Sequence, residues 1–183
     1  MKIIIVLGIL ALIVLFVVAQ YNKLIRLNIG VDEAWAQIEV QLKRRSDLIP
    51  NLVESVKGYA AHEKTTLDAV ITARAKATTA TTVADVAAAD GMVTQALRGL
   101  LAVAEAYPDL KASANFISLQ EELATTENKV AFSRQFYNDN VRELNTAVKT
   151  VPTNFFAGFA KVDEREFYEV EDPQDRKAPS VKF

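Results

Sequence analysis

The stretch VQLKRRSDLIPNLVESVKGYAAHE, Val40 to Glu63, decides how this chain is read. It looks helical almost throughout, yet Pro50 stands in its middle. Val31, Trp35, Ile38, Leu42, Ile49, Leu52, Val56 and Ala60 step along the chain mostly by three or four residues, which is one apolar stripe on a helix. The stripe keeps its phase across Pro50. A helix restarted after a true loop has no reason to stay in register. The spacing therefore predicts one long helix running through the proline, with the Ser46 carbonyl released from its usual backbone partner. The rival reading is a break, with Asp47 capping a new helix.

Upstream, Ile3 to Ala19 reads IIIVLGILALIVLFVVA, seventeen residues without a charge or a strongly polar group. As a helix at ~1.5 Å per residue it covers about 25 Å, slightly short of a ~30 Å hydrocarbon core. Gln20 and Tyr21 extend it into the interface, where tyrosine is favoured, and Lys23 can snorkel outward. The competing reading is a cleaved signal peptide, with Lys2 as its basic end and VVA before Gln20 as its cleavage site. Val17 is a weak residue for such a site, the apolar run is long, and helical character continues past it. An uncleaved anchor over residues 1–22 is the expectation. Lys2 lies on one side of it and Lys23, Arg26, Lys43, Arg44 and Arg45 on the other, which leans towards a cytoplasmic C-terminal part.

Downstream, residues 73–90, ARAKATTATTVADVAAAD, are poor in bulky side chains. Thr78, Thr79, Thr81 and Thr82 are weak helix-interior residues and mark a turn. A second helix follows, with Val86, Val93, Leu97, Leu100 and Ala104 on one face, and ends before Pro108. The third helix is the clearest: Phe116, Leu119, Leu123, Thr126, Val130, Ser133, Tyr137, Val141, Leu144 and Val148 form a seam over more than thirty residues. Pro152 ends it. Phe155, Phe156 and Phe159 are spaced for one side of a short helix. The expected fold is all-α: an N-terminal transmembrane helix continuing into an antiparallel bundle of three long helices plus a short fourth, over residues 23–160. Residues 161–183 form an acidic tail with Asp163, Glu164, Glu166, Glu169, Glu171, Asp172 and Asp175, which Phe167 and Tyr168 tack down in part. From about Asp172 onward it carries no period and reads as disordered.

Composition removes most chemistry. The chain of 183 residues has no cysteine, one histidine and a formal net charge of −2. Disulfides, thiolate metal sites and a global positive field for nucleic acid are excluded. His62 and Glu63 suggest a metalloprotease helix, but that motif needs a second histidine four residues on, and position 66 is Thr66. No serine sits in a nucleophile elbow and no glycine-rich phosphate loop is present. Glu121 and Glu122 are adjacent and point apart on a helix. Glu127, Asn128, Asn138 and Asn140 lie near the seam, where hydrogen bonding that fixes register is the reading. Lys43, Arg44 and Arg45 read as a solvated helix face, with contacts to anionic lipid headgroups, worth ~1 kcal/mol each, as the functional alternative. No catalytic residue, cofactor or metal site is expected.

The segment YNKLIRLNIGVDEAWAQIEVQLKRRSDLIPNLVESVKGYAAHE resembles the signature region of the LemA family. SLQEELATTENKVAFSRQFYNDNVRELNT, with the following VPTNFFA, resembles its second block. The anchor, the Trp35 region, Pro50 and Tyr137–Asp139 fall in the family's order. The resemblance implies a single-pass bacterial membrane protein, its N-terminus outside and a helical bundle in the cytoplasm, with no enzymatic activity to transfer. One relative, the magnetosome protein MamQ, is linked to shaping a membrane compartment, and some members sit beside membrane-protease genes. Two functions are expected on these grounds. One is a non-enzymatic scaffold that self-associates into homo-oligomers on the lipid bilayer and organises it. The other is a tethered module that docks another membrane protein, such as a protease or sensor. Ile25, Ile29, Val40, Val53, Ile117, Phe132 and Phe136 lie outside the main stripes and are the candidate contact surface.

Overall fold

In the computed structural model, residues 1–60 and 62–169 are described. Among them six helices carry the fold, and no strand is present. They are α1 (Lys2–Lys57), α2 (Lys64–Thr79), α3 (Val83–Ala104), α4 (Pro108–Lys111), α5 (Ala114–Lys149) and α6 (Asn154–Ala160). The acidic end from Asp172 onward lies outside the described residues.

Helix α1 runs through Pro50 without a break, as the phase of its stripe requires. Proline has no N–H to offer the carbonyl four residues earlier. That carbonyl, on Ser46, instead accepts from Arg74 Nε of α2 at 2.9 Å. The acceptor left by the proline is thus supplied from a neighbouring helix.

The expected count of three long helices plus a short fourth needs correction. The sequence reading follows the first helix to Ala60 and sets no separate helix before the threonine turn; the structure has α2 there, with Gly58 to Glu63 between it and α1. Gly58 opens the connection, where glycine weakens a helix most. Tyr59 N then donates to Val56 O at 3.1 Å, a tightened closing turn. The apolar stripe hid this break because Ala60, Leu67 and Val70 continue its spacing, and all three are buried.

The threonine turn is where the sequence places it. Thr78 and Thr79 hydroxyls bond back to the carbonyls of Ala75 and Lys76 as α2 ends. Thr82 caps α3: its Oγ1 accepts from Asp85 N at 3.1 Å and donates to Asp85 Oδ2 at 2.7 Å.

The chain divides into two compact units. Unit 1 takes Met1–Ile38 and Phe132–Phe167; unit 2 takes Glu39–Ala131 and the chain from Tyr168. In unit 2, α2 and α3 pack against each other. Ile49, Leu52, Val56, Leu67, Val93, Leu97, Leu100, Leu110, Phe116 and Leu123 share one apolar core. Val53, outside the main stripe in sequence, belongs to that core too. In unit 1, the early part of α1 and the late part of α5 run antiparallel. Trp35 meets Tyr137 with ring centroids 5.4 Å apart. About one turn back, a Cβ on Gly30 would sit 3.1 Å from Asn140 Oδ1, so a larger residue there requires the Asn140 side chain to shift by a few tenths of an ångström. Leu24, Val31, Ala34 and Ile38 are buried from α1, and Tyr137, Val141, Leu144 and Ala147 from α5.

Candidate functional site

Two regions draw attention, one in each unit. The first is a buried charge cluster in unit 2. Arg45, on α1, is 3 % exposed and Asp90, on α3, is 4 % exposed. Arg45 Nη1 lies 2.6 Å from Asp90 Oδ1, and Nη2 lies 2.7 Å from Glu127 Oε2 on α5. Nη2 also donates to Thr94 Oγ1 at 2.9 Å. Tyr168 Oη, buried, donates to the second oxygen of Asp90 at 3.0 Å. Helices α3 and α5 therefore meet the guanidinium carried by α1, and the C-terminal segment joins the cluster through Asp90. Removing an ion from water costs several kcal/mol, which only such close and multiple pairing offsets.

This corrects the expectation for Arg45, while Lys43 and Arg44 lie on the exposed side as expected. Consecutive residues on a helix are turned about 100° apart, so a basic triplet cannot share one face. Arg45 points inward and is spent on Asp90 and Glu127; it reaches no headgroup. Arg44 is exposed, and Lys43, also exposed, pairs with Asp47 at 3.2 Å. The signal for Arg45 was present in the stripe. From Leu42 the buried positions jump seven residues to Ile49, and Arg45 fills the gap in phase. Asp90 likewise sits between Val86 and Val93. Two opposite charges at core positions of two helices are each other's natural partner.

An open groove of about 430 Å³ lies beside the cluster, lined by Arg45, Asp90, Arg74, Lys43, Asp47 and Val93 among others. Its three cations are engaged, Arg45 as above, Lys43 by Asp47 and Arg74 by the Ser46 carbonyl. Arg45 Nε and Gln41 Oε1 are buried without a hydrogen bond among the described residues. His62 is exposed in the connection after α1, while Glu63 accepts from Tyr107 Oη at 3.2 Å. Loss of hydration, and after it the hydrogen bond to and charge of that carboxylate, push the Tyr107 phenol upward. No group of three His, Asp or Glu side chains among the described residues is placed to hold a metal ion.

The second region, in unit 1, is the apolar run with its surroundings. The side chains of Ile3 to Phe16 are exposed along α1. At the end of the run Phe156 of α6 meets Phe16 edge to face at 6.2 Å, and Phe159 meets Tyr21 at 6.0 Å. Nearby, Arg165 joins Asp32 Oδ1 at 2.7 Å and Asn28 Oδ1 at 3.1 Å. Its backbone exchanges two 2.9 Å hydrogen bonds with the side chain of Asn145. Val162 is buried, and Lys149 pairs with Glu164. Of the acidic segment, residues 161–167 are thus held to the helices of unit 1. Of the polar residues expected near the seam, Glu127 reaches Arg45, Asn140 Nδ2 donates to the Phe136 carbonyl at 2.8 Å, and Asn128 is exposed. Asp90 and Asn145 were not singled out in the sequence. The surplus apolar residues divide as well: Val53 is core, Ile25 is half-buried, and Ile29, Val40, Ile117, Phe132 and Phe136 are exposed.

Comparison with known proteins agrees with the signature segments. Residues 34–183 match the model of the LemA family. A protein named Protein LemA, from Metamycoplasma hominis, is 27 % identical over 143 residues, covering 76 % of this chain and 64 % of that relative. The chain therefore spans about two thirds of the length of that curated relative. With the family model running from the Trp35 region of α1 to the C-terminus, the chain belongs to the LemA family.

Proposed function

We propose that this protein is a non-enzymatic, membrane-anchored helical scaffold, with Ile3–Ala19 crossing the bilayer of a bacterial cell membrane once and an antiparallel helical bundle on the cytoplasmic side. One observation carries the reading: α1 is long and apolar enough to span a membrane, and none of its most apolar stretch is buried by the rest of the chain. Burying one such side chain is worth roughly 1.5–3 kcal/mol, so a row of them in water is strongly unfavourable. Helix α3 meets the same test of length and composition, but its apolar face lies in the unit 2 core and it carries the Asp90 ion pair. It is a core helix. Self-association on the membrane follows from the surface left over. Phe132, 69 % exposed, and Phe136 stand one turn apart on α5, and confinement to a plane raises the effective concentration of weak contacts.

The test of the anchor is alkaline extraction of membranes containing the full-length protein, together with its intact mass. Retention in the pellet with Met1 or Lys2 at the start is expected; release, or a chain beginning at Gln20, overturns it. Single cysteines at Val40 and Phe132 then test assembly on a background free of native thiols. Crosslinked homo-oligomers are the expected result. The second reading, a tethered module that docks another membrane protein, draws on the same exposed Phe132 and Phe136. It takes precedence if the solubilised protein sediments as a monomer and no crosslink forms.

A further inference from the structure

Helix α6 has two faces with opposite fates. Ala157 and Ala160 are buried, and Phe156 turns inward to Phe16. Phe155 and Phe159, four residues apart and so on one side, are 75 % and 79 % exposed, and Val151 just before the helix is 71 % exposed. A seven-residue helix has too little area to hold itself on any surface. This one is fixed by its ends: Thr153, buried, donates to Gln20 Oε1 at 3.3 Å, and Val162 is buried directly after the left-handed residue Lys161. The fold thus holds two largely exposed phenyl rings at one level, Phe159 also meeting Tyr21.

That level is set by the ring contacts. Phe16 is three residues inside the end of the apolar run, about 4–5 Å of helix at ~1.5 Å per residue. Tyr21 is two residues beyond it. Phe156 and Phe159 touch these two residues. We propose that the segment Val151–Phe159 is a second lipid-binding element, which inserts the Phe155 and Phe159 rings into the headgroup–acyl boundary of the leaflet where α1 emerges. The proposal rests on the anchor reading above. The occupant is the bilayer because the patch is continuous with a segment that already lies in it, at the depth where aromatic rings are enriched and where interfacial helices sink ~5–10 Å. Lys23 and Lys161, both exposed, flank the aromatic residues and supply the cations that suit headgroup phosphates. Membrane contact then has two parts, a span through both leaflets and a foot in one. Volume added to a single leaflet favours curved bilayer, which gives the scaffold a means of shaping what it is anchored in.

The experiment uses the full-length protein in vesicles of phosphatidylethanolamine and phosphatidylglycerol, with a nitroxide on single cysteines in Ile9→Cys, Phe155→Cys, Phe159→Cys and Asn115→Cys. All four positions are surface side chains; Phe159→Cys also gives up the Tyr21 ring contact, so the label at 155, which leaves both ring contacts in place, decides where the two differ. Collision with oxygen reports lipid and collision with a water-soluble nickel complex reports solvent. The expected result is lipid-like at position 9, water-like at 115, and an oxygen-to-nickel ratio at 155 and 159 several-fold above that at 115. Water-like labels at 155 and 159 with a lipid-like label at 9 overturn the foot and leave the anchor standing. Labels at 155 and 159 shielded from both reagents mean that a second copy covers them, which also overturns it. A water-like label at 9 overturns the anchor and the foot together.

Discussion

Arg45 and Arg165 make a natural pair for comparison. Each arginine contacts a carboxylate at 2.6–2.7 Å and a neutral oxygen as well. Each joins segments far apart in sequence. They differ in water. Arg45 is almost wholly buried, whereas the Arg165 and Asp32 side chains are 41 % and 56 % exposed. In the first case the partners are what make the charge tolerable; in the second, water stands ready to replace them. Similar contact geometry therefore implies different energetics, and burial decides which.

The sharpest way to break this comparison is Asp90→Ala. It takes away the one carboxylate buried with Arg45, leaving only the partly exposed Glu127 and the Thr94 hydroxyl, and should lower stability by about 3–5 kcal/mol in denaturant unfolding of a detergent-solubilised sample. Replacing both ends, Asp90→Ala with Arg45→Met, should recover much of that loss. A cost below about 1 kcal/mol for Asp90→Ala alone would put Arg45 in the same class as Arg165. Next comes Arg74→Ala, which leaves the Ser46 carbonyl without its donor and should cost about 1–3 kcal/mol. In a Pro50→Ala background the same change should cost far less, because the backbone N–H of residue 50 then reaches that carbonyl. Equal costs in the two backgrounds would mean that the carbonyl does not need the arginine.

Tyr137 stands between the extremes. Its Oη donates to the Glu166 carbonyl at 2.9 Å, and Tyr137→Phe should cost about 1 kcal/mol. Burial, the largest influence, raises its phenol above the ordinary 10.0; Arg165 opposes the rise, and Glu166 and Asp32 add to it. The folded state thus favours the protonated phenol. Its stabilising effect is intact below the unfolded value near 10 and is lost as pH rises through the higher folded value. Tyr137→Phe should remove that part of the alkaline loss in a pH series of melting temperatures. The smallest effect is expected for Arg165→Met, about 0–1 kcal/mol and smaller still at high salt. A loss approaching that of Asp90→Ala would show that Asn28, Asp32 and Arg165 act as a unit in spite of their exposure.

Much of the fold was legible because helices write themselves locally. The α5 seam from Phe116 to Val148 is buried or half-buried at every position named from sequence. Pro50 was placed inside a helix by phase alone. The break after Lys57 was not legible, since periodicity records which face is apolar and is blind to a turn that preserves the phase. Gly58 was its one mark. The charge cluster was hidden for a different reason. Arg45 and Asp90 are 45 residues apart, and a charge at a core position gains its meaning only from a partner on another helix. In the run Lys43–Arg44–Arg45 the pattern of neighbours suggested solvent, while the helical phase of Arg45 pointed inward.

Pro50 itself has a consequence for sequence change in this family. A regular helix is anonymous along its length, because every carbonyl is answered by its own chain and a neighbour can slide by a turn at little cost. Deleting one N–H gives α1 a single distinguished point, and Arg74 reads it. The pair works as a detent that sets where α2 may stop along α1. Positions 50 and 74 should accordingly drift together: a relative that regains an ordinary residue at 50 is free to lose the arginine, and one that keeps the proline is not.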